Sequence, residues 1–561
     1  MISPVFPAYY RRLALVLILP VLAGCSSSKK ISKTDTETLD RLKTHITYLA
    51  DDKLEGRRTG TRGEMLAMEY ISGQFKALGL VPKGSDGYYQ AFTVQDGKQV
   101  NPGTSFSING NLLAVDKDYF PFPFSDNQKV SALPALAVQE AGMPWFFDLK
   151  DPLKENEHNP HFDLLNYIHT HAKKAGERGA SAVILYNTAL KNDDLAFDGK
   201  YRAEKLALPV IYARKHVAEK YFADPTATLD IKLVVDIGNK TRTGHNVIGY
   251  IDHGAASTVI LGAHFDHLGY GEDGNSRHTS HEAAIHNGAD DNASGTAALI
   301  ELSRKLRNSG AKNNNYLFIA FSGEELGLYG SKYFTENPTI DIRTANYMIN
   351  MDMVGRLNDS TKVLTVGGYG TSPSWGRLYR QYDMAHVKKT ELNFKYDSSG
   401  TGPSDHTSFY RKDIPVLFYF TGLHTDYHKP TDDADRVNYT GALSIVNHIN
   451  DVIGSLDDQP RLVFTKTREA QTTTSARFSV SMGIMPDYTF SGSGVRADGI
   501  SEGKPAQKAG LKTGDVIIRL GDYPVVSMEG YMQALGKFKK GDRTTVRFKR
   551  GEETLETTVE F

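Results

Sequence analysis

The stretch that most constrains this chain is Tyr316 to Ser331, read as YLFIAFSGEELGLYGS. Its first six residues are apolar, aromatic or β-branched, as in a short buried strand, and the run stops at Ser322 and Gly323. Glu324 and Glu325 follow at once. Adjacent side chains at a strand end point to opposite sides of the backbone, so the two acids can take different tasks, one as general base and one as metal ligand. A solvated acidic turn opening the next helix would equally account for an isolated pair. The other acids and imidazoles of the chain decide between these readings.

A length of 561 residues exceeds one ordinary core and predicts two to four domains. The net charge of -1 argues against a nucleic-acid partner or a polybasic membrane surface. At the amino terminus, Arg11 and Arg12 precede an apolar run from Leu13 to Ala23. That run is short for a spanning helix and the right size for the apolar region of a secretory signal. It ends in Leu22-Ala23-Gly24-Cys25, which is similar to the lipobox of bacterial lipoproteins. The similarity implies cleavage before Cys25, acylation of its thiol, and a lipid-anchored place in the bacterial cell envelope, periplasmic or at the cell surface. A secretory signal with an incidental cysteine is the alternative. Cys25 is the only cysteine, so the remainder of the chain offers no disulfide, thiolate ligand or thiol nucleophile. Residues 1–25 are thus expected to be a signal peptide with its lipidated cysteine, and 26–35 a flexible tether.

From Thr36 to Leu80, Leu39, Leu42, Ile46 and Leu49 mark one amphipathic helix, and Met65, Met68, Ile71 and Phe75 a second. Between them lies LEGRRTGTRG, whose Arg57, Arg58 and Arg62 are expected to pair with acids of the main domain rather than bind a substrate carboxylate. Residues 98–240 carry proline-bounded strands and one helix-to-strand unit, AKKAGERGASAVILYN, with Gly179 ending the helix. This β-rich insert resembles the protease-associated insert of several exopeptidases. It holds no constellation of ligands and reads as a lid or substrate-selecting wall. From Gly244 onward, strands at 246–251, 258–263, 316–321, 347–351, 362–366 and 414–420 are predicted, with helices at 295–306 and 441–453. Strands alternating with helices imply an α/β domain: a mixed, mostly parallel sheet sandwiched by helices, with ligands at the carboxyl ends of its strands. Residues 36–97 and 241–456 would form this domain, and 457–477 a linker. Residues 478–561, with GVRADGISEGKPAQKAGLKTGDVIIRLGD, resemble a small β-rich PDZ domain. Its Met482 to Met485 segment corresponds to the loop that captures a peptide or protein carboxyl terminus. A docking module without a free peptide is the alternative.

The strand ends carry the chemistry. The strand at 258–263 runs into His264-Phe265-Asp266-His267, an imidazole with a carboxylate two residues on. Gly288-Ala289-Asp290-Asp291-Asn292 opens the helix at 295, Glu324-Glu325 comes third, Asp352 closes the strand in NYMINMDMVG, and His428 lies in TDYHKPTDD. Five imidazole or carboxylate donors at separate strand ends, with one glutamate to spare, make a two-metal hydrolase site the economical reading. Zinc suits these donors best, with cobalt or manganese possible. Asp405 is expected to lie behind the ligands and His406 to be structural, while His278, His281 and His286 would line the entrance.

The order His264-x-Asp266, GADDNASG, SGEELGLYGS, NMDMVG and YHKPTDD resembles the co-catalytic zinc exopeptidase family that includes bacterial leucyl aminopeptidases, glutamate carboxypeptidase and the transferrin receptor. The resemblance implies one zinc on His264 and Asp352, another on Glu325 and His428, and Asp291 bridging them, with a cis peptide to Asn292. It makes Glu324 the general base, Asp266 the residue that orients His264, and Tyr427 a support for the oxyanion. The expected activity is aminopeptidase hydrolysis of peptides. A carboxypeptidase acting on acidic carboxyl-terminal residues and a metal-free receptor-like binding protein are the alternatives.

Overall fold

The structure, a computed structural model, describes residues 32–561 except 158, 160–161, 190–193, 202, 279, 281, 387–391, 468–479, 487–489, 491, 501–502 and 527. The expected signal peptide with Cys25, most of the tether, His281 and the second half of the expected linker lie outside the described residues. Among the described residues no helix is long and apolar enough to cross a membrane.

The central sheet has nine strands: β1 (Val81–Pro82), β2 (Tyr89–Val100), β3 (Ile237–Ile251), β4 (Thr258–His264), β5 (Asn315–Phe321), β6 (Ala345–Met351), β7 (Val363–Gly367), β8 (Asn393–Tyr396) and β9 (Val416–Phe420). Their order is β1-β3-β5-β4-β6-β9-β7-β8, with β2 alongside β3. Strands β4, β5 and β6 are buried at every position. Parallel strands covered on both faces read as continuous apolar runs, which is why their sequences do not alternate.

The sheet is mixed, as expected, but parallel pairing does not predominate. The four parallel pairs, β5-β4, β4-β6, β6-β9 and β7-β8, are matched by four antiparallel ones. The extra antiparallel pairs arise because β1 and β2 join β3 at one edge and β7 runs against β9 near the other.

One face of the sheet is covered by α1 (Lys33–Leu49), α2 (Arg62–Ala77), α3 (Gly295–Arg307), α5 (Pro373–His386) and α6 (Tyr439–Leu456). Ser32 caps α1 by accepting from the Asp35 amide at 3.1 Å, and Leu42, Ile46 and Leu49 form its fully buried stripe. Each such side chain contributes about 1.5–3 kcal/mol by burial. The other face packs against α4 (Tyr329–Glu336) and the short helix His406–Tyr410 through Phe334 and Phe409.

The expected boundaries at 97/98 and 240/241 fall inside strands. β2 and β3 continue past them as one antiparallel ribbon, from Tyr89 opposite Val247 to Val100 opposite Ile237. At its end lie two four-stranded sheets. One comprises Ser105–Ile108, Asn111–Leu113, Lys129–Ala132 and Ile231–Val234; the other comprises Tyr119–Pro121, Pro144–Asp148, Ala182–Tyr186 and Val210–Ala213. Gly179, at φ +98, separates the helix Leu164–Glu177 from the strand Ala182–Tyr186.

The first part of the expected linker is packed rather than free. Leu462 is buried in the main core and its amide donates to Asn346 Oδ1 at 2.9 Å, while the Arg461 guanidinium donates to the Ala345 carbonyl. Polar partners on β6 therefore hold this stretch without helical or strand periodicity. Residues 480–561 have their own core around Met482, Ile517, Leu520, Tyr531 and Val546, with the helix Met528–Leu535.

Candidate metal centre

Strand register brings the site residues to one level. In the parallel pair β4-β5, His264 lies opposite Phe321, three residues before Glu324. In β4-β6, Gly262 lies opposite Asn350, so Asp352 emerges two residues later beside His264. Asp352 is tied further by its amide, which donates to the Tyr419 carbonyl of β9 at 3.1 Å.

All five expected ligands meet in one buried cluster. His264 Nε2 is 3.3 Å from Asp352 Oδ1 and 3.4 Å from Asp291 Oδ1. His428 Nε2 is 3.4 Å from Asp291 Oδ2 and 3.1 Å from Glu325 Oε2. Asp291 thus presents one oxygen to each imidazole, and the Asp291–Asn292 peptide is cis. Asp291 and Asp290 donate their amides to Asp432 Oδ2 at 3.0 Å, and Asp352 Oδ2 accepts from Ser404 Oγ at 2.8 Å. His428 Nδ1 faces the Asn275 carbonyl at 2.9 Å, which leaves Nε2 for the cluster.

Glu324 and Glu325 divide as their adjacency suggests. Glu325 turns to His428, while Glu324 Oε2 lies 4.0 Å from His264 Nε2. Asp266 organises that turn. Its carboxylate accepts from the amides of Glu324 at 3.2 Å and Glu325 at 3.4 Å and from Thr59 Oγ1 at 3.1 Å. Its contact with His264 Nδ1 is 3.2 Å through the backbone oxygen and 3.7 Å through the carboxylate. Tyr427 stacks on His428 with ring centroids 3.9 Å apart.

The charges in this cavity are strongly perturbed. Burial, reinforced by Asp352, Glu325 and Asp405, holds the Glu324 carboxyl well above the usual carboxylate range against the pull of His264. Burial opposes a charge on His428, yet Glu325 and Asp291 push it up to about 11. Burial and Asp291 work against ionisation of Glu325, but His428 and His267 bring it down to about 2. Burial pushes Asp405 up to about 7, with Asp266 and Asp352 adding to the effect. Six carboxyl groups, Asp266, Asp291, Glu324, Glu325, Asp352 and Asp405, surround three imidazoles, His264, His267 and His428, a balance that favours cations. His264, Asp291 and Asp352 form one group with ligand atoms within 4.8 Å of one another, and His267, Asp291 and Glu325 form a second. Imidazole and carboxylate donors without thiolate suit zinc and similar divalent ions.

Several flanking residues depart from expectation. Arg58 pairs with Asp273 at 2.7 Å and Asp96 at 3.3 Å, as expected, but Arg57 forms no ion pair with an acid among the described residues. It is wholly buried and donates to the carbonyls of Leu49, Phe265, Asn287 and Gly288. Arg62 is exposed. His286 does not line an entrance; it is buried, with Nε2 2.7 Å from Ser276 Oγ and its amide donating to the Gly269 carbonyl at 2.9 Å. His278 is exposed, and His406 stacks on Phe418 with centroids 4.4 Å apart, a structural setting. Sequence reasoning passed over His267, whose Nδ1 lies 2.7 Å from Glu325 Oε1. The available signal was a second imidazole at the same strand end, three residues after His264.

Residues 246–453 match the model of Peptidase family M28, and residues 480–561 match a PDZ domain. Aminopeptidase YwaD of Bacillus subtilis is 26% identical over 280 residues, 48% of this chain and 55% of that protein. Leupeptin-inactivating enzyme 1 of Streptomyces exfoliatus is 29% identical over 197 residues, 35% of this chain and 39% of that protein. The matches thus span about half or less of these two relatives. The probable lipoprotein aminopeptidase LpqL of Mycobacterium tuberculosis is 25% identical over 471 residues, 75% of this chain and 85% of that protein. Residues 246–453 are thus a Peptidase family M28 domain, and residues 480–561 a PDZ domain.

Proposed function

We propose that the protein is a metal-dependent aminopeptidase, a hydrolase that removes amino-terminal residues from peptides, with a two-zinc site and Glu324 as general base. The observation that carries this reading is the Asp291 carboxylate, with one oxygen toward His264 and the other toward His428. His264 and Asp352 would hold one ion, Glu325 and His428 the other, and Asp291 both. Bound there, two divalent cations would supply Lewis acidity for a water and for the scissile carbonyl. Glu324 takes the proton from the attacking water and returns it to the leaving amine. Asp266 holds the Glu324-Glu325 turn through both amides, and Tyr427 donates to the developing oxyanion.

The names of the relatives, aminopeptidase YwaD and probable lipoprotein aminopeptidase LpqL, support this class and an envelope location through Cys25. Three arginines that a carboxypeptidase could aim at a substrate carboxylate are engaged elsewhere: Arg57 on carbonyls, Arg58 on Asp273 and Arg356 on Asp426 at 2.7 Å. Half-buried Phe418 and Phe420, on one face of β9 beside Asp352, favour apolar amino-terminal side chains. The insert acts as a protease-associated wall over the site, and the PDZ domain captures a peptide or protein carboxyl terminus.

The test is hydrolysis of aminoacyl-nitroanilides and amino-blocked peptides by the chain starting after Cys25, with chelator, zinc add-back and Glu324→Gln. Release from free amino termini should require metal and fall at least about 10²-fold in Glu324→Gln while metal content holds. Turnover of amino-blocked substrates alone would replace this reading with the carboxypeptidase.

A further inference from the structure

We propose that His267 is a positioning residue for the second metal site, donating from Nδ1 to Glu325 Oε1 so that only Oε2 of Glu325 is left to bind the ion. The inference rests on the two-metal reading above. Glu325 has two oxygens with different neighbours: Oε2 is 3.1 Å from His428 Nε2, and Oε1 is 2.7 Å from His267 Nδ1. A carboxylate free at both oxygens can swing between one-point and two-point coordination. A hydrogen bond on one oxygen fixes its orientation and raises the affinity of the site.

The surroundings keep the ring in place. The His267 side chain has no exposed surface, and its ring stands edge-on to His428 at 5.9 Å. Gly288 makes room for it: a Cβ there would overlap both the imidazole and the Asp291 carbonyl, and Gly288 sits at φ +54, where side chains are strained. His267 Nε2 is buried without a hydrogen-bond partner among the described residues, so the proton is assigned to Nδ1, where an acceptor waits.

Two substitutions separate a donor at Nδ1 from other roles. The Asn amide nitrogen falls near the place of Nδ1, whereas a Gln amide reaches toward that of Nε2. Purified His267→Ala, His267→Asn and His267→Gln are titrated with zinc against a chromophoric chelator, and with cobalt while its visible absorption is followed. In His267→Ala one of the two ions should bind about 10–100-fold more weakly and the other as in wild type. His267→Asn should restore most of the loss and His267→Gln little, with the cobalt band intensity of His267→Asn matching wild type. Two-ion binding by His267→Ala at wild-type affinity overturns the proposal, as does His267→Asn behaving like His267→Ala. A cobalt spectrum in His267→Asn showing a lost ligand also overturns it, in favour of direct coordination by His267. These readouts need no turnover, so a wild type that binds two ions but cleaves no peptide refutes the aminopeptidase reading and leaves this one standing. A wild type that binds fewer than two ions overturns both.

Discussion

Replacing Arg57 by methionine should destabilise the catalytic domain more than any surface change nearby. The side chain has no exposed surface, and its Nε donates to the Phe265 carbonyl at 2.7 Å. Nη1 donates to Leu49 and, at 2.6 Å, to Asn287, and Nη2 to Gly288 at 3.0 Å. Methionine fills a similar length but leaves four buried carbonyls without this donor. At about 1 kcal/mol for each, after allowing for the charge that no longer has to be buried, the loss is about 4 kcal/mol. Burial itself lowers the Arg57 pKa to about 10, against the fields of Asp266 and Asp291, so the guanidinium stays charged at neutral pH and the effect is present there in full. A domain of this size moves by about 2 °C per kcal/mol, which predicts a fall of about 8 °C in Tm. Arg57→Lys, with one nitrogen in place of a planar fork, should recover less than half of it. Calorimetry on wild type and both variants with metal removed measures this directly. A fall below about 2 °C for Arg57→Met would mean that water or backbone shifts satisfy those carbonyls, and the account of Arg57 as the internal tie would be wrong.

Two further outcomes follow from the buried ring cluster and the site. His448, packed against Tyr379, Phe394 and Tyr419, is held at about 3 by burial. The folded state keeps it neutral while the unfolded chain protonates below about 6.5, so stability is lost as pH falls from 6.5 toward 3. At pH 5 the loss is about 2 kcal/mol, and His448→Gln should show a correspondingly smaller drop in Tm between pH 7 and pH 5 than wild type. Tyr427→Phe should lower kcat about 10²-fold with metal content unchanged, measured by steady-state kinetics and metal analysis; unchanged kcat would reduce Tyr427 to packing on His428.

The sheet strands were legible because burial on both faces leaves an unbroken apolar signature. The predicted 258–263 and 316–321 each lie one residue from the observed Thr258–His264 and Asn315–Phe321. The candidate cluster was legible for a related reason: acids and imidazoles at or soon after the ends of such strands have few structural uses, so His264, Glu325, Asp352 and His428 stand out. Residues that act through backbone atoms left no such trace. Arg57 was expected to seek an acid because charge pairing is the commoner fate of an arginine, yet its partners are carbonyls, which sequence does not mark. The packing of 457–467 was hidden because Leu462 is a single apolar residue in a stretch without periodicity. The excess of parallel pairing was expected because β/α alternation dominates from Gly244, while the ribbon β2-β3 pairs strands separated by the whole insert.

The candidate site residues come from five separate segments, and loop 265–288 makes several of the contacts that hold them together. At its start, the Phe265 carbonyl accepts from Arg57, and at its end so do the carbonyls of Asn287 and Gly288. In its middle, Asp273 gathers Arg58 at 2.7 Å, Lys200 of the insert at 2.9 Å and Arg242 of β3 at 3.3 Å. Burial works against a charge on Asp273, but Arg58, Arg242 and Lys200 hold its carboxyl well below the usual carboxylate range, so it stays ionised at neutral pH. Two residues on, Asn275 receives His428 Nδ1 at its carbonyl and donates its side-chain amide to the Glu325 carbonyl at 3.2 Å. The insert therefore reaches the Glu325–His428 side of the cluster through one short loop, Lys200 to Asp273 and Asn275 to His428. Lys200, in the β-rich insert and remote in sequence from every expected ligand, thus pairs with Asp273 two residues before the Asn275 carbonyl that faces His428 Nδ1.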